Sequence, residues 1–115
     1  MITLCIYRNL LEAGAQVNSV NKVSKTPLIY AASEDHLDCL QTLAYAKDVD
    51  LNHIDVIHND WSAFHYAILQ DNVEALEILL KAGADGKQTD GIGRSPVIIA
   101  GDHYKEKALA FLENL

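Results

Sequence analysis

The chain has 115 residues, half of them apolar and 22% charged, which suits one folded domain and excludes a disordered chain. Nine basic against sixteen acidic side chains leave a net charge of -7, a sign that disfavours nucleic acid and anionic membranes and permits a basic protein partner. No apolar run approaches the roughly 18 residues of a membrane span, and the first eleven residues, broken by Arg8 and lacking a basic lead-in, do not read as a signal peptide.

In chain order, residues 4–13 are apolar on one face and close on Ala13-Gly14-Ala15, a helix with a glycine stop. Thr26-Pro27-Leu28-Ile29-Tyr30-Ala31-Ala32 then opens a second helix: a capping hydroxyl precedes a proline at the first helical position, and small residues follow. Leu37, Leu40 and Leu43 repeat at three-residue steps and predict an amphipathic partner helix. The pattern returns at Ser62-Ala63-Phe64-His65-Tyr66-Ala67-Ile68, followed by the stripe Val73, Leu76, Leu79 and Leu80 and the stop Ala82-Gly83-Ala84. It returns again at Ser95-Pro96-Val97-Ile98-Ile99-Ala100, followed by Ala108, Leu109 and Leu112. The openings lie 36 and 33 residues apart, and Gly14 and Gly83 are separated by the sum of the two, 69. A period near 33 with two helices per unit is a solenoid signature.

Asp90-Gly91-Ile92-Gly93-Arg94-Ser95-Pro96, Asp35-His36-Leu37-Asp38-Cys39-Leu40, Gly14-Ala15-Gln16-Val17-Asn18 and Gly83-Ala84-Asp85 together resemble the ankyrin repeat family, over essentially the whole chain. The resemblance implies an all-α solenoid of helix-turn-helix units with short β-hairpin finger loops. It divides the single domain into a partial repeat at 1–18, repeats at 19–52 and 53–87, and a C-terminal capping repeat at 88–115. The family's glycine between paired helices is replaced by Asp35, Asp71 and Tyr104. Aspartate tolerates a left-handed turn, whereas a bulky tyrosine is unfavourable there, which puts the last turn in question. The stretch 52–62 is two residues longer than 18–26, so one finger is expected to project further than its neighbours.

His53, His58 and His65 lack the spacing that puts two imidazoles on one helix face, so no metal site is expected. Asp90-Gly91-Ile92-Gly93-Arg94 follows no strand and is no phosphate loop, and Ser62 and Ser95 read as caps rather than nucleophiles. No catalytic residue, cofactor or enzyme activity is therefore expected. Cys5 and Cys39 are too few for a disulfide framework and read as buried thiols in a reducing compartment, placing the chain inside the cell, in cytoplasm or nucleus.

The family resemblance implies a protein-protein interaction module whose variable positions, just before the capping hydroxyl and just after the alanine pair, face a concave groove. They are Lys22, Val23, Lys25, Ser33 and Glu34, then His58, Asn59, Trp61, Leu69 and Gln70, then Ile92, Arg94, Asp102 and His103. Trp61 stands where an exposed residue is expected, as an interface hot spot or stacked on the adjacent finger and Lys25. The alternative is a substrate-recruiting or regulatory segment of a larger protein. Tyr7 and Leu10 make the first helix a raw edge, open to self-association or to further residues upstream, whereas Lys105, Glu106, Lys107 and Glu113 give the last helix the polar face of a cap.

Overall fold

The computed structural model describes residues 26–46 and 49–115. The helix expected over 4–13, its Gly14 stop, Cys5, Lys22, Val23 and Lys25 lie outside the described residues.

Six helices follow in pairs: α1 (Pro27–Ser33) and α2 (Leu37–Ala44), α3 (Ala63–Leu69) and α4 (Val73–Ala82), α5 (Pro96–Asp102) and α6 (Glu106–Glu113). The openings form as their residues dictate. Thr26 is extended and its hydroxyl accepts the Ile29 N–H at 3.3 Å, and Ser95 does the same for Ile98 at 3.4 Å. Proline occupies the first helical position in both. In α3 alanine stands there instead, and the His65 ring takes over the capping: the Ser62 N–H donates to Nδ1 at 2.9 Å. α4 begins at Asn72, whose side chain accepts the Ala75 N–H, and stops at Gly83, which takes a left-handed φ of 113°.

All three inter-helix turns are left-handed at the substituted glycine positions, with φ of 58° at Asp35, 53° at Asp71 and 56° at Tyr104. The last turn thus survives its tyrosine. The Tyr104 ring points to solvent and meets no neighbour that would forbid it, leaving the strain confined to the backbone.

α1, α3 and α5 pack side by side in one row, and α2, α4 and α6 in a second row behind it. Alanines 31, 32, 67 and 100 are buried in the first row and let the helices approach closely. Leu28, Ile29, Leu40, Leu43, Phe64, Ile68, Leu76, Leu79 and Ile99 fill the space between rows and repeats. Polar bonds stitch neighbours together: Gln70 Nε2 donates to the Ser33 carbonyl at 2.7 Å and Asn72 Nδ2 to Asp35 at 2.7 Å. At α6 the N-cap is Lys105, which has no acceptor to offer, and Asp71 of the preceding repeat accepts the Ala108 N–H at 2.8 Å instead.

One expectation needs correction. Cys39 is disulfide-bonded rather than a free thiol. The sequence holds one other cysteine, Cys5, which lies outside the described residues, and a count of cysteines does not reveal a pairing. This removes the support that free thiols gave to a reducing compartment. Glu106 and Glu113 on α6 face solvent as expected, but Val97 and Ile98 on α5 are 39% and 49% exposed, where their counterparts Leu28, Ile29, Phe64 and His65 are buried under the next repeat.

Candidate interaction surface

Both described fingers are built on a buried aspartate. In the second repeat Asp55 Oδ1 accepts the Ile57 N–H at 3.1 Å, while Oδ2 accepts the Tyr66 hydroxyl at 2.8 Å and His58 Nδ1–H at 2.7 Å. The Asp55 N–H donates to the Trp61 carbonyl at 2.9 Å, in a single antiparallel bridge. Among the described residues the fingers form no strand beyond this bridge. In the third repeat Asp90 Oδ1 accepts the Ile92 and Arg94 N–H groups at 3.1 and 2.9 Å, and the Asp90 N–H donates to the Arg94 carbonyl. Asp55 and Asp90 are thus equivalent, and so are Ile57 and Ile92, two residues after each.

The two-residue insertion falls between Asp55 and Trp61. It makes a turn in which Asn59 and Asp60 both have positive φ, 62° and 57°, closed by the Trp61 N–H on the His58 carbonyl at 3.2 Å. The longer finger does not stand free. It leans on the third one, where the Gly91 N–H donates to the Asn59 carbonyl at 2.7 Å. A Cβ on Gly91 would come within 2.9 Å of Asp60 Oδ2 and 3.1 Å of the Asn59 carbonyl oxygen, so a larger residue there would make the Asp60 side chain swing and the Asn59 carbonyl give way slightly.

Trp61 is not the exposed anchor its position suggests: its residue is 6% exposed. The indole N–H donates to Asp90 Oδ2 at 3.0 Å, and the ring meets Tyr66 and His103 edge-on at 5.4 and 5.9 Å, with the Arg94 guanidinium 6.0 Å from its centre. It stacks on the third finger, towards the C-terminus. Arg94 is held by Asp90 through Nε and Nη2, both at 2.9 Å, and lies 3.6 Å from Asp102. Two carboxylates already answer its charge, so it is poorly placed to receive an anion.

Burial would raise the Asp55 carboxyl, but the hydrogen bonds from Tyr66, His58 and Ile57 outweigh it and hold the group below the usual carboxylate range. Asp90 follows the same logic: against the cost of burial, the bonds from Trp61 and Arg94 hold it at about 2. Tyr66 is pushed well up, by burial first and then by its bond to Asp55. Both carboxylates and the Tyr66 hydroxyl are therefore occupied in closing loops.

Of the positions drawn from the sequence, His58, Trp61, Arg94, Asp102 and His103 come together in one strip along the fingers and the ends of the front helices. Ser33 and Gln70 meet as a bonded pair. Glu34, Asn59 and Ile92 are exposed, and Leu69 is half-buried against the core. Val56 and Ile57 were missed. They are 67% and 59% exposed, comparable with Ile92 at 68%, and an apolar pair inside an inserted loop was the signal that could have found them. Among the described residues no group of three His, Cys, Asp or Glu side chains is placed to hold a metal ion.

This architecture, with paired helices, left-handed turns and aspartate-built fingers repeated in register, defines an ankyrin-type solenoid. The family model for ankyrin repeats (3 copies) matches residues 3–90, and the chain belongs to the ankyrin repeat family. It is 30% identical to dog (Canis lupus familiaris) inversin over 93% of its own length and 10% of that protein's. It is 32% identical to human ankyrin repeat and SOCS box protein 3, over 87% of this chain and 19% of that one. It is 23% identical to alpha-latrotoxin-Lg1a of Latrodectus geometricus over 96% of this chain and 8% of that one. The chain spans about a tenth of the length of inversin. Ankyrin repeats generally serve protein interaction and are generally non-catalytic.

Proposed function

We propose that the chain binds a partner protein or peptide through its finger tips and the groove beside them, and that it catalyses nothing itself. The observation that carries this reading is the pair Ile57 and Ile92. Both are largely exposed, yet both sit on backbone that a buried aspartate fixes. Apolar side chains on a pre-organised loop lose little conformational freedom on binding, so their burial converts into affinity with small ordering cost. The acidic balance of the chain favours a partner in which apolar residues sit among basic ones. Among the described residues no helix is long and apolar enough to cross a membrane. An intracellular setting, cytoplasmic or nuclear, no longer follows from the cysteines, and the proposal does not depend on it.

A second reading, a recruiting or regulatory segment of a larger protein, is favoured by length, since the relatives exceed this chain several-fold. Self-association through the first helix rests on residues outside those described.

The test is a comparative capture experiment. Wild type and the double variant Ile57→Asp/Ile92→Asp are used as baits after their melting temperatures have been shown to match. A partner that depends on the fingers is expected to be bound at least about 30-fold more weakly by the variant, as loss of a hot spot of ~2 kcal/mol implies. Specific partners retained equally by both baits would sink the finger-tip reading.

A further inference from the structure

We propose that His65 is an acid-sensitive latch between the second and third repeats, closed only while its imidazole is neutral. The geometry favours one protonation state of the ring. Nδ1 accepts the Ser62 backbone N–H at 2.9 Å, and a backbone N–H has no choice but to donate, so Nδ1 carries a lone pair. Nε2 lies 2.8 Å from the Gln88 carbonyl, which only accepts, so Nε2 carries the proton. Both ring nitrogens are thereby committed, one to the start of α3 and the other to the strand of chain that enters the third finger. The residue is fully buried. A proton on Nδ1 would turn it into a donor against the Ser62 N–H, with only the Ser62 hydroxyl, 3.1 Å away, able to receive it, and the backbone N–H would lose its acceptor.

The charged groups that act on the ring are Asp90, Asp85 and Arg94, all from the third repeat. Burial pushes the imidazole below its ordinary value of 6.5, against the opposing pull of the Gln88 bond and the Asp90 and Asp85 charges. The sign follows directly. The closed latch excludes the proton and the opened ring takes it up near 6.5, so the latch holds fully above that pH and weakens as pH falls below it. The equivalent positions in the other two repeats are Ile29 and Ile98, which do not titrate. The sensitivity is therefore confined to one joint, the one crossed by the Gly91–Asn59 bond and the Trp61–Asp90 bond. Acid should loosen the third finger from the second before it unfolds the rest. This inference stands whether or not the finger tips bind a partner.

The chain supplies its own control, His65→Ile, which copies the neighbouring repeats. Amide exchange is followed by nuclear magnetic resonance between about pH 7.5 and pH 5.5, corrected for the intrinsic rate, with the Ser62 amide, the Gly91 amide and the Trp61 indole N–H as reporters. In wild type their protection should fall by at least about threefold across that range, as proton-linked opening requires. In His65→Ile it should stay flat. Equal behaviour of the two proteins overturns the proposal. If the variant does not fold, the wild-type ring decides: a neutral Nε2–H tautomer persisting below the ordinary histidine range supports the latch, and titration at the ordinary value with unchanged protection of Ser62 overturns it.

Discussion

The indole of Trp61 reaches 29 residues along the chain for its acceptor, Asp90, and that bond changes what the residue does. Buried between Tyr66, His103 and Arg94, it joins two fingers, and its removal should be felt in stability. Trp61→Ala is expected to cost about 3 kcal/mol or more, in the range for truncating a buried aromatic, measured by denaturant unfolding; a cost under ~1 kcal/mol would return the ring to the surface. Asp90 gives a second prediction. Its carboxyl is held at about 2 against an ordinary value of 3.8, so its contribution is present above about 3.8 and lost as pH falls through about 2. Asp90→Asn should lower stability at neutral pH and flatten the decline between those two values, which acid titration of the unfolding midpoint would reveal.

The turns between paired helices carry strain unequally. Asp35 and Asp71 repay their left-handed backbone by accepting bonds from the next repeat, Asn72 Nδ2 in one case and the Ala108 N–H in the other. Tyr104 is 88% exposed in the same conformation. Tyr104→Gly is therefore expected to stabilise the chain by about 0.5–1 kcal/mol, the relief of a left-handed non-glycine residue less the entropy glycine adds to the unfolded chain. Asp71→Gly should gain nothing, because the cap on α6 goes with it; thermal melts of the two variants side by side check the contrast. Helix starts and stops were legible because they depend on near neighbours: Thr26, Pro27, Gly83, Ser95 and Pro96 act within one turn of themselves. The partners of Trp61 and Asp71 were not, because they come from the next repeat. The insertion was read correctly by counting, but its direction was not, since leaning on the third finger depends on the space left by Gly91.

Among the described residues, burial of equivalent positions is not uniform along the stack. Ile29 is 1% exposed and Ile98 is 49% exposed, although they hold the same place in their repeats. Ile29→Gln is expected to cost about 3 kcal/mol or more through an unsatisfied buried amide, and Ile98→Gln less than roughly 0.5 kcal/mol. Comparable costs in urea unfolding would mean that α5 is covered in solution. The contact between the inserted finger and Gly91 has a wider consequence. The two extra residues of one repeat narrow the space for a side chain in the next, so these units are no longer interchangeable bricks. Shuffling them, duplicating the third, or trimming Asn59 and Asp60 alters the constraint on a neighbour as well as the unit touched. Gly91→Ala should be harmful in this chain and harmless once the finger is shortened, an epistasis that would tie the history of the insertion to that of a glycine more than thirty residues downstream.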